Sequence, residues 1–370
     1  MTKFLEIHAI QNLPPSNINR DETGAPKSAY YGGCNRQRVS SQAWKRAARD
    51  AFKDVIAETQ RATRTKRVVT LLTKRIQAHN DQLERADAVA RATRVLELAG
   101  IKVKAPRAKK GETPDLEAYE SEALVFVSNQ QLDALAELAA ADDEVDKKSA
   151  KQAADTKNGI AVALFGRMVA SSPDLNVDAA VQVAHAISTH KVDLQGDFYT
   201  AIDDQKPRDE DAGAGMMGTI EFASATLYRY AAISLDQLRD NLGEDDVTAE
   251  AVVAFTQTFL TSVPSGKKNS MAADTLPSAI LIMIRDTRPV SLVGAFERPV
   301  PASEQGYVTA SVAAMVERVE GLRDNFGFGP LTTWAVGDPD LTGVLGTVAD
   351  VKPLSTVLDE VRAAIGEAGA

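Results

Sequence analysis

The segment from Arg36 to Arg49 constrains the fold most, because it predicts a short strand or loop that leads directly into an amphipathic helix. Ser40 or Ser41 suits the N-cap, since a serine oxygen can accept a hydrogen bond from the first turn. An apolar face follows from side chains at three- and four-residue spacing, namely Trp44, Ala48, Ala51, Phe52 and Val55. We therefore expect this helix to pack on the core with its other face outward.

The outward face of this helix carries Gln42, Lys45 and Arg49 at positions i, i+3 and i+7. Like charges one turn apart cost an isolated helix roughly a few tenths of a kcal/mol, and cations near the N-terminus oppose the helix dipole. The placement indicates that a partner supplies the counter-charge, and Ser, Gln, Lys and Arg are the usual phosphate-contacting residues. A helix face that is simply solvated is the alternative.

The distribution of charge along the chain supports a polyanion partner, although the net charge of −9 at pH 7 argues against one. Residues 1–111 contain 23 Lys and Arg against 10 Asp and Glu, whereas residues 112–370 contain 19 against 41. An asymmetry of this size indicates a polyanion site in the basic part. It also indicates head-to-tail self-association, in which the basic region of one copy meets the acidic region of another.

Composition indicates a soluble globular protein, because 44% of the 370 residues are hydrophobic and 25% are charged. The sequence starts without a charged segment and apolar run of the signal-peptide kind, and no apolar run is long enough to span a bilayer. The single cysteine, Cys34, cannot form an internal disulfide or a cysteine-based zinc site. We expect a cytoplasmic protein that binds no membrane, metal or cofactor.

The remaining segments predict an α+β fold in which two insertions interrupt a sheet domain. Extended segments are expected over residues 3–12, 159–165, 187–194, 219–232 and 280–284, the last of them paired with 290–293. Helices are expected over residues 177–185, 234–241, 248–262, 308–325 and 354–365, and residues 59–158 read as almost wholly helical. Residues 193–218, with a polar stretch from Asp203 to Asp211, predict a protruding hairpin.

The glycine-lysine loop Ser265-Gly266-Lys267-Lys268 is not a Walker A motif. That motif requires a glycine five residues before its Gly-Lys pair, and Thr261 occupies the position here. Lys267 and Lys268 can still contact a backbone phosphate, and a solvated loop is the alternative.

Other candidate catalytic residues are sparse. His185 and His190 lie five residues apart, which does not suit a zinc pair on one helix, so structural roles are expected for them. Asp21, beside Arg20 in the first loop, is the best candidate carboxylate. A single aspartate in a polar loop is more often a turn residue than a catalytic one.

Phe198, Tyr199 and Met168 suit a different chemistry, which is base stacking. An aromatic or Met side chain on a protrusion can insert between bases, and each base–aromatic stack is worth ~1–3 kcal/mol whatever the sequence. Packing of these side chains on a neighbouring element or subunit is the alternative.

Several short motifs occur together along the chain. They are Arg20-Asp21, Gly32-Gly33, Arg38-Val39-Ser40-Ser41-Gln42, Lys45-Arg46-Ala47, Gly166-Arg167-Met168, Ala184-His185-Ala186-Ile187-Ser188-Thr189-His190, Val192-Asp193, Asp197-Phe198-Tyr199-Thr200-Ala201, Tyr228-Arg229-Tyr230, Val263-Pro264 and Ala295-Phe296-Glu297. With them the chain resembles the CasC family, the guide-RNA-binding backbone subunit of the type I-E CRISPR Cascade complex. The resemblance extends from the first strand to the last third of the chain. Between residues 59 and 158 it rests on helical character alone.

The resemblance implies a hand-like fold with three parts. The palm is a modified RNA-recognition-motif (ferredoxin-like) sheet formed by residues 1–58, 159–192 and 219–370. Residues 59–158 are an inserted helical fingers subdomain, and residues 193–218 are a thumb hairpin. Several copies polymerise head to tail along the guide RNA (crRNA), and each thumb displaces a nucleotide from the stack at regular intervals. The other implied partners are target DNA and further Cascade subunits, and no catalysis is implied.

The resemblance also implies roles for individual residues. Guide phosphates are held by Ser40, Gln42, Lys45 and Arg49, assisted by Arg20 and Lys27. Lys267 and Lys268 are further candidates for RNA binding from their own loop. The kink is shaped by Met168, Phe198, Tyr199 and Thr200, although the Tyr199 hydroxyl departs from a purely apolar wedge. Candidate contacts to target DNA lie in the fingers, at Lys102, Lys104, Arg107, Lys109 and Lys110. The sheet lacks the aromatic signature of RNA-recognition motifs. This absence favours contacts to the RNA backbone over sequence-specific contacts to its bases.

Two further hypotheses remain open on the sequence. Related CRISPR backbone subunits of another type cleave target RNA with a loop aspartate, and Asp21 lies in a comparable loop. The hypothesis that this chain is such an enzyme would be supported by metal-dependent cleavage of a complementary RNA that is lost in Asp21→Ala. The other hypothesis is a structural subunit that contacts only proteins and uses its basic fingers to bind acidic partners. Nucleic acid that co-purifies with the protein would argue against this hypothesis.

Overall fold

The structure is a computed structural model that describes residues 3–106, 115–141, 144–169, 172–201 and 216–367. Its antiparallel sheets and its helices confirm the predicted α+β class. The strands are β1 (Phe4–Ser16), β2 (Ser28–Tyr31), β3 (Cys34–Val39), β4 (Ala62–Thr65), β5 (Val103–Lys104), β6 (Glu120–Ser121), β7 (Val125–Ser128), β8 (Val181–Val183), β9 (Ala186–Ser188), β10 (Gln195–Ala201), β11 (Met216–Ser234), β12 (Ala279–Arg285) and β13 (Thr332–Gly337). The helices are α1 (Ser41–Ala51), α2 (Val68–His79), α3 (Arg85–Leu98), α4 (Asn129–Ala141), α5 (Lys147–Asp155), α6 (Ile160–Phe165), α7 (Leu235–Leu242), α8 (Asp245–Thr261), α9 (Lys268–Met271), α10 (Val308–Phe326), α11 (Thr342–Leu345) and α12 (Leu354–Glu367).

The central sheet has the strand order β13-β12-β1-β11-β9-β3-β2, and β8 and β10 also pair with β11. Strand β1 lies in the middle, where Ile7 is opposite Ala231 of β11 and Ile282 of β12. Because successive side chains of a strand point to opposite faces, β1 contributes to two cores. Leu5 and Ile7 join the core under α1, α8 and α12, whereas Ile10 joins the core under α10. Helices therefore cover both faces of the sheet.

A third hydrophobic core lies in the segment between α1 and α6. Helices α2 to α5 and strand β7 bury Leu72, Leu96, Val127 and Leu135 against one another. The prediction that residues 59–158 are almost wholly helical is wrong, because β4 pairs with β7 and β5 pairs with β6. Each pair joins segments that are far apart in sequence, so local patterns do not reveal it. The boundaries proposed for the palm, fingers and thumb stay a prediction.

Two predicted elements have a different secondary structure. Residues 159–165, predicted as a strand, form α6, which ends at Gly166 with a φ of 74°. A short apolar run has no periodicity that separates a buried strand from a buried helix. Residues 177–185, predicted as a helix, contain β8, whose Val183 lies opposite Ala231. Pairing with β11 therefore overrides the local preference.

The partner of β12 and the end of β1 also differ from expectation. The partner is β13, with Trp334 opposite Ile282, whereas residues 292–296 form a short 3-10 helix. Strand β1 continues through Pro14 and Pro15 to Ser16. A register shift between Leu13 and Ser16 keeps the two prolines out of the regular hydrogen-bond ladder, which proline cannot join as a donor.

Strand β10 pairs with the first part of β11 inside the segment predicted as a hairpin, with Phe198 opposite Thr219. These paired strands, residues 195–201 and 216–222, are called the hairpin below. The polar stretch from Asp203 to Asp211 lies outside the described residues. Among the helices of the described ranges, none is long and apolar enough to cross a membrane.

Arg36 connects the outer strands of the sheet to the loop around Glu297. Its side chain is fully buried, and its guanidinium donates to the carbonyl oxygens of Ser188 at 2.9 Å and Phe296 at 2.8 Å. Gly32 permits the close approach of the two segments, because a Cβ atom at that position would lie 1.6 Å from the carbonyl oxygen of Glu297.

We predict that Gly32→Ala lowers the free energy of unfolding more than Gly33→Ala does. Both glycines have positive φ, 58° and 79°, so both substitutions strain the backbone by about 1–2 kcal/mol. Only Gly32→Ala also creates the overlap with Glu297, which adds about 1–3 kcal/mol, as overpacking does in other proteins. Urea unfolding of both variants measures the difference, and equal losses would contradict the close approach.

Candidate nucleic-acid interface

Helix α1 begins as predicted, with Ser40 as its N-cap. The Ser40 hydroxyl accepts a hydrogen bond from the backbone N–H of Ala43 at 3.4 Å, and the Ser40 backbone N–H donates to the Asn19 side chain at 2.8 Å. Trp44 and Ala48 are buried, which confirms the predicted apolar face. The first turn holds no acidic residue, so the positive end of the helix dipole is not neutralised there by its own side chains.

A buried arginine fixes the inner face of α1 against the sheet and α8. The Arg229 guanidinium lies 3.7 Å from the ring centroid of Trp44 and 4.5 Å from that of Phe259. It also donates to the side-chain oxygen of Gln11 at 2.5 Å and to the Phe259 carbonyl oxygen. Burial lowers the pKa of Arg229 to about 9. These contacts hold the helix in a defined orientation, so that its polar face points outward.

An open cleft of about 550 Å³ runs beside this polar face. Polar and cationic side chains along it come from the first loop and from α1, and a third wall comes from the loop after α8. The lining residues include Asn19, Arg20, Ser40, Gln42, Arg46, Asp50, Val263, Pro264, Ser265 and Gly266. The structure thus brings three predicted residues, Arg20, Ser40 and Gln42, to one cleft. It adds Arg46, which sequence reasoning missed although it lies one turn after Gln42.

Lys45 and Arg49 lie on another flank of α1 and are half-buried. Burial lowers the pKa of Lys45, and no carboxylate among the described residues pairs with it. The pKa of Arg49 is lowered first by burial and then by the positive charges of Arg64 and Arg46, although Asp50 opposes these effects. Crowded cations that are partly removed from water, with a single carboxylate among them, favour an anionic ligand.

Arg49 also lines a smaller cleft of about 210 Å³. Its guanidinium lies 5.8 Å from the ring centroid of Phe126 in β7, and the Phe126 side chain belongs to the same core as Trp44 of α1. Lys53 lines the same cleft, whereas two nitrogens of the Arg61 guanidinium donate hydrogen bonds to the carbonyl oxygen of Ile56. Of the predicted phosphate-contacting residues, Ser40 and Gln42 therefore line the larger cleft and Arg49 the smaller one, whereas Lys45 lines neither.

Lys27 lies near a second cationic group that the sequence did not predict. Arg38 donates from its side chain to Nδ1 of His185 at 2.9 Å and to the carbonyl oxygen of Ser28 at 3.1 Å. Burial lowers the pKa of His185, and the charges of Arg38 and Lys27 lower it further. His185 is therefore neutral at pH 7 and accepts from the Arg38 guanidinium.

The loop with Lys267 and Lys268 packs against the first loop at Gly266. A Cβ atom at Gly266 would lie 2.5 Å from the carbonyl oxygen of Ile18. Lys267 adopts a positive φ of 51°, and Lys268 forms an ion pair with Asp274 at 2.5 Å. This loop borders the larger cleft, which Arg20 also lines. The ammonium group of Lys268 is already paired with the Asp274 carboxylate.

The predicted stacking residues divide between the two faces of the hairpin. Phe198, Thr200 and Met217 share one face, because Thr200 is opposite Met217 and alternate residues point the same way. Phe198 is 64% exposed and Met217 is 62% exposed. Tyr199 points to the other face and packs over Gly218, where a Cβ atom would lie 2.7 Å from its hydroxyl oxygen. Sequence reasoning missed Met217, which strand pairing and alternation would have revealed.

Met168 is 82% exposed, but it lines a different groove. That groove of about 290 Å³ includes Ile101, Lys102, Leu124 and Val169, and no lining residue comes from the hairpin. Lys102 and Lys104 are exposed, as expected for residues that contact a ligand or solvent. The other three predicted finger cations, Arg107, Lys109 and Lys110, lie outside the described residues.

Asp21 occupies a tight turn. One carboxylate oxygen, Oδ1, accepts from the Thr23 hydroxyl at 2.7 Å, the Thr23 backbone N–H at 2.9 Å and the Ala25 backbone N–H at 3.1 Å. The Thr23 hydroxyl is the main cause that lowers the pKa of Asp21. Within the described residues, no three His, Cys, Asp or Glu side chains are grouped to hold a metal ion. These three hydrogen bonds show that Asp21 stabilises the turn.

His190 holds the base of the hairpin to the sheet. Its Nε2 accepts from the backbone N–H of Thr226 in β11 at 3.1 Å, so the proton is on Nδ1, which donates to the Lys191 carbonyl oxygen at 2.7 Å. The ring stacks on Tyr307 with centroids 3.6 Å apart. Burial is the main cause that lowers the pKa of His190, and Arg36 lowers it further.

These features define a class of protein: an α+β chain with antiparallel sheets, a cation-lined cleft along one helix and a hairpin with an apolar face. The family model described as CT1975-like protein, a Cas family, matches residues 5–360, so the chain belongs to that family. The match confirms that this is a Cas protein, whereas its assignment to type I-E and to CasC stays a prediction.

Solved structures agree with this family. The chain is similar to a chain in a CRISPR RNA-guided surveillance complex, pre-nicking, with 33% identity, a TM-score of 0.85, and coverage of 98% of this chain and 100% of that one. A chain in another CRISPR RNA-guided surveillance complex has 29% identity and a TM-score of 0.73, with coverage of 98% and 99%. No curated protein shows a significant match.

We predict that the stability contributed by His190 is lost in acid. Its pKa in the folded protein lies below the ordinary value of 6.5, so the unfolded chain binds the proton more tightly. The contribution is therefore complete above pH 6.5 and falls as the pH is lowered below it. Urea unfolding at about pH 7 and about pH 5 should show a smaller pH dependence for His190→Gln than for the control His79→Gln. Equal dependences would contradict this role.

Proposed function

We propose that this chain is a non-catalytic backbone subunit of a CRISPR RNA-guided surveillance complex, of the CasC kind found in type I-E Cascade. Several copies polymerise head to tail along crRNA, hold its phosphates and kink it periodically, so that the guide can pair with target DNA in antiviral defence. Other Cascade subunits and target DNA are the further partners, and the complex acts in the cytoplasm. The likeness to chains of surveillance complexes supports this proposal.

The observation that carries the proposal is the cationic polar face of α1 beside an open cleft. In the proposal, Arg20, Gln42 and Ser40 hold phosphates in the larger cleft, and Lys45 and Arg49 hold them on the adjoining flank. Phosphate contacts fix the path of a strand without reading its sequence. A guide of changing sequence requires this, since its base edges must remain free for pairing with the target.

The remaining cations take secondary positions in the same proposal. Lys27 and Lys267 extend the phosphate contacts from the first loop and from the loop after α8. Lys268 contributes once a phosphate competes with Asp274 for its ammonium group. Lys102 and Lys104 contact target DNA, as do Arg107, Lys109 and Lys110, which complete the finger cations. The sheet itself serves as a modified RNA-recognition-type palm.

The exposed face of the hairpin supplies the wedge that bends the guide. Phe198 and Met217 present adjacent apolar side chains to solvent, and Thr200 lies directly opposite Met217 on the same face. An apolar side chain that enters a base step separates the two bases and kinks the strand. Tyr199 supports the wedge from the opposite face, where its ring covers Gly218. Met168 bounds the bent segment from its groove on the fingers.

We predict that Lys45→Ala combined with Arg49→Ala weakens the binding of all single-stranded RNA sequences alike. Each lost phosphate contact lowers the slope of log affinity against log salt by about 0.7, so the double variant loses roughly 1.4. Fluorescence anisotropy with several RNA sequences over a series of salt concentrations measures both effects.

The matched control is Arg318→Ala combined with Arg323→Ala, which removes two exposed cations from α10. It should leave the affinity and the salt slope close to those of the wild type. Equal losses in the two double variants would mean that net charge alone decides binding. Unchanged RNA binding in the α1 variant would contradict the phosphate contacts.

We predict that Phe198→Ala combined with Met217→Ala reduces base unstacking while the phosphate contacts persist. The fluorescence of 2-aminopurine placed along the bound RNA reports unstacking, and its periodic maxima should disappear in the double variant. The loss of stacking is worth about 1–3 kcal/mol per base. Tyr199→Phe is the control, because it keeps the ring over Gly218. Maxima that persist in the double variant would rule out this wedge.

A further inference from the structure

One acidic residue lies on the cationic face of α1. Asp50 is the only Asp or Glu between Ser40 and Lys53 in the sequence. Its carboxylate lines the larger cleft and lies 3.5 Å from Nε of Arg46, with the two side chains 62% and 77% exposed. Asp50 also raises the pKa of Arg49, against the stronger lowering effect of burial. A single carboxylate therefore interacts with two of the cations that border the clefts.

The stability of α1 does not account for Asp50. An acidic side chain near the C-terminus of a helix lies at the negative end of the dipole, which disfavours it. The pair with Arg46 has the cation first and the acid four residues later, which is the weaker order for an i,i+4 pair. Exposed pairs of this kind contribute little to folding. The helix would keep its cap and its buried face without this carboxylate.

We propose that Asp50 takes the place of a phosphate beside Arg46 in the larger cleft and competes with RNA for Arg46. Carboxylate and phosphate both match the planar donor fork of a guanidinium, so one can replace the other. The Asp50 carboxylate keeps Arg46 engaged until a strand with several phosphates also binds Gln42 and Lys45. This inference rests on the proposed function, and it makes Asp50 a specificity-determining residue that disfavours isolated anions and short RNA.

The proposal predicts how the affinity for RNA and its dependence on salt change when the Asp50 charge is removed. Removal of the Asp50 charge frees Arg46 for one additional phosphate, so the affinity for RNA rises roughly threefold, as expected for one screened pair of charges. For short RNA, the additional phosphate contact makes the slope of log affinity against log salt steeper by about 0.7. Short RNA gains more than long RNA, because long RNA already displaces Asp50.

The experiment compares the full-length wild type with Asp50→Asn, and uses uridine homopolymers of two lengths as the probe. Asp50→Ala serves as a second variant, and circular dichroism verifies that each one folds. Asp54→Asn is the matched control, because Asp54 is an exposed acid in the turn that follows α1. Arg46→Ala is combined with Asp50→Asn to complete a double-mutant cycle.

With the short homopolymer, we expect tighter binding and a steeper salt slope for Asp50→Asn, little change for Asp54→Asn, and no gain when Arg46 is already alanine. Unchanged or weaker binding by folded Asp50→Asn and Asp50→Ala overturns the inference alone, provided that the wild type binds RNA. An equal gain in Asp54→Asn, or in the Arg46→Ala background, also overturns it. A wild-type protein that does not bind RNA overturns the proposed function and this inference together.

Discussion

The Arg229 guanidinium lies between the rings of Trp44 and Phe259, at 3.7 Å and 4.5 Å from their centroids, and the position of α1 depends on this contact. Trp44 belongs to α1, Phe259 to α8 and Arg229 to β11, so three elements meet at one buried charge. A desolvated cation stacked on aromatic rings is worth about 2 kcal/mol or more. The hydrogen bond from Arg229 to Gln11 extends the group to β1. Because these contacts hold the inner face of α1, its outer face presents Arg46 to the larger cleft and Arg49 to the smaller one.

The same strand that carries Arg229 also carries the apolar face of the hairpin. Strand β11 runs from Met216 to Ser234, so its first residues pair with β10 and its later residues lie in the central sheet. At about 3.4 Å per residue, Met217 lies roughly 40 Å along the strand from Arg229. His190 and its bond to Thr226 hold the strand where the two parts meet. The separation between α1 and the exposed apolar side chains of the hairpin is therefore a property of one continuous strand.

Local patterns predicted much of this arrangement, and contacts between distant segments account for what they missed. The Ser40 cap and the Trp44 face follow from residues within one or two helical turns, and the structure confirms both. Helix α6 was predicted as a strand because a short apolar run suits either conformation. Met217 and the Arg229 contacts depend on strand register and on packing between distant elements, which composition and spacing do not encode. The roles of the individual site residues stay predictions, since they concern a ligand.

The central claim is that RNA follows the polar face of α1 and meets the apolar face of the hairpin. Ultraviolet cross-linking of RNA to the full-length protein, followed by mass spectrometry of the linked peptides, tests it most directly. The account predicts cross-links concentrated in peptides that contain Gln42 to Arg49 and Phe198 or Met217, and lost after ribonuclease digestion of the RNA before irradiation. Cross-links confined to other surfaces, such as α10, or a protein that retains no RNA, would contradict it.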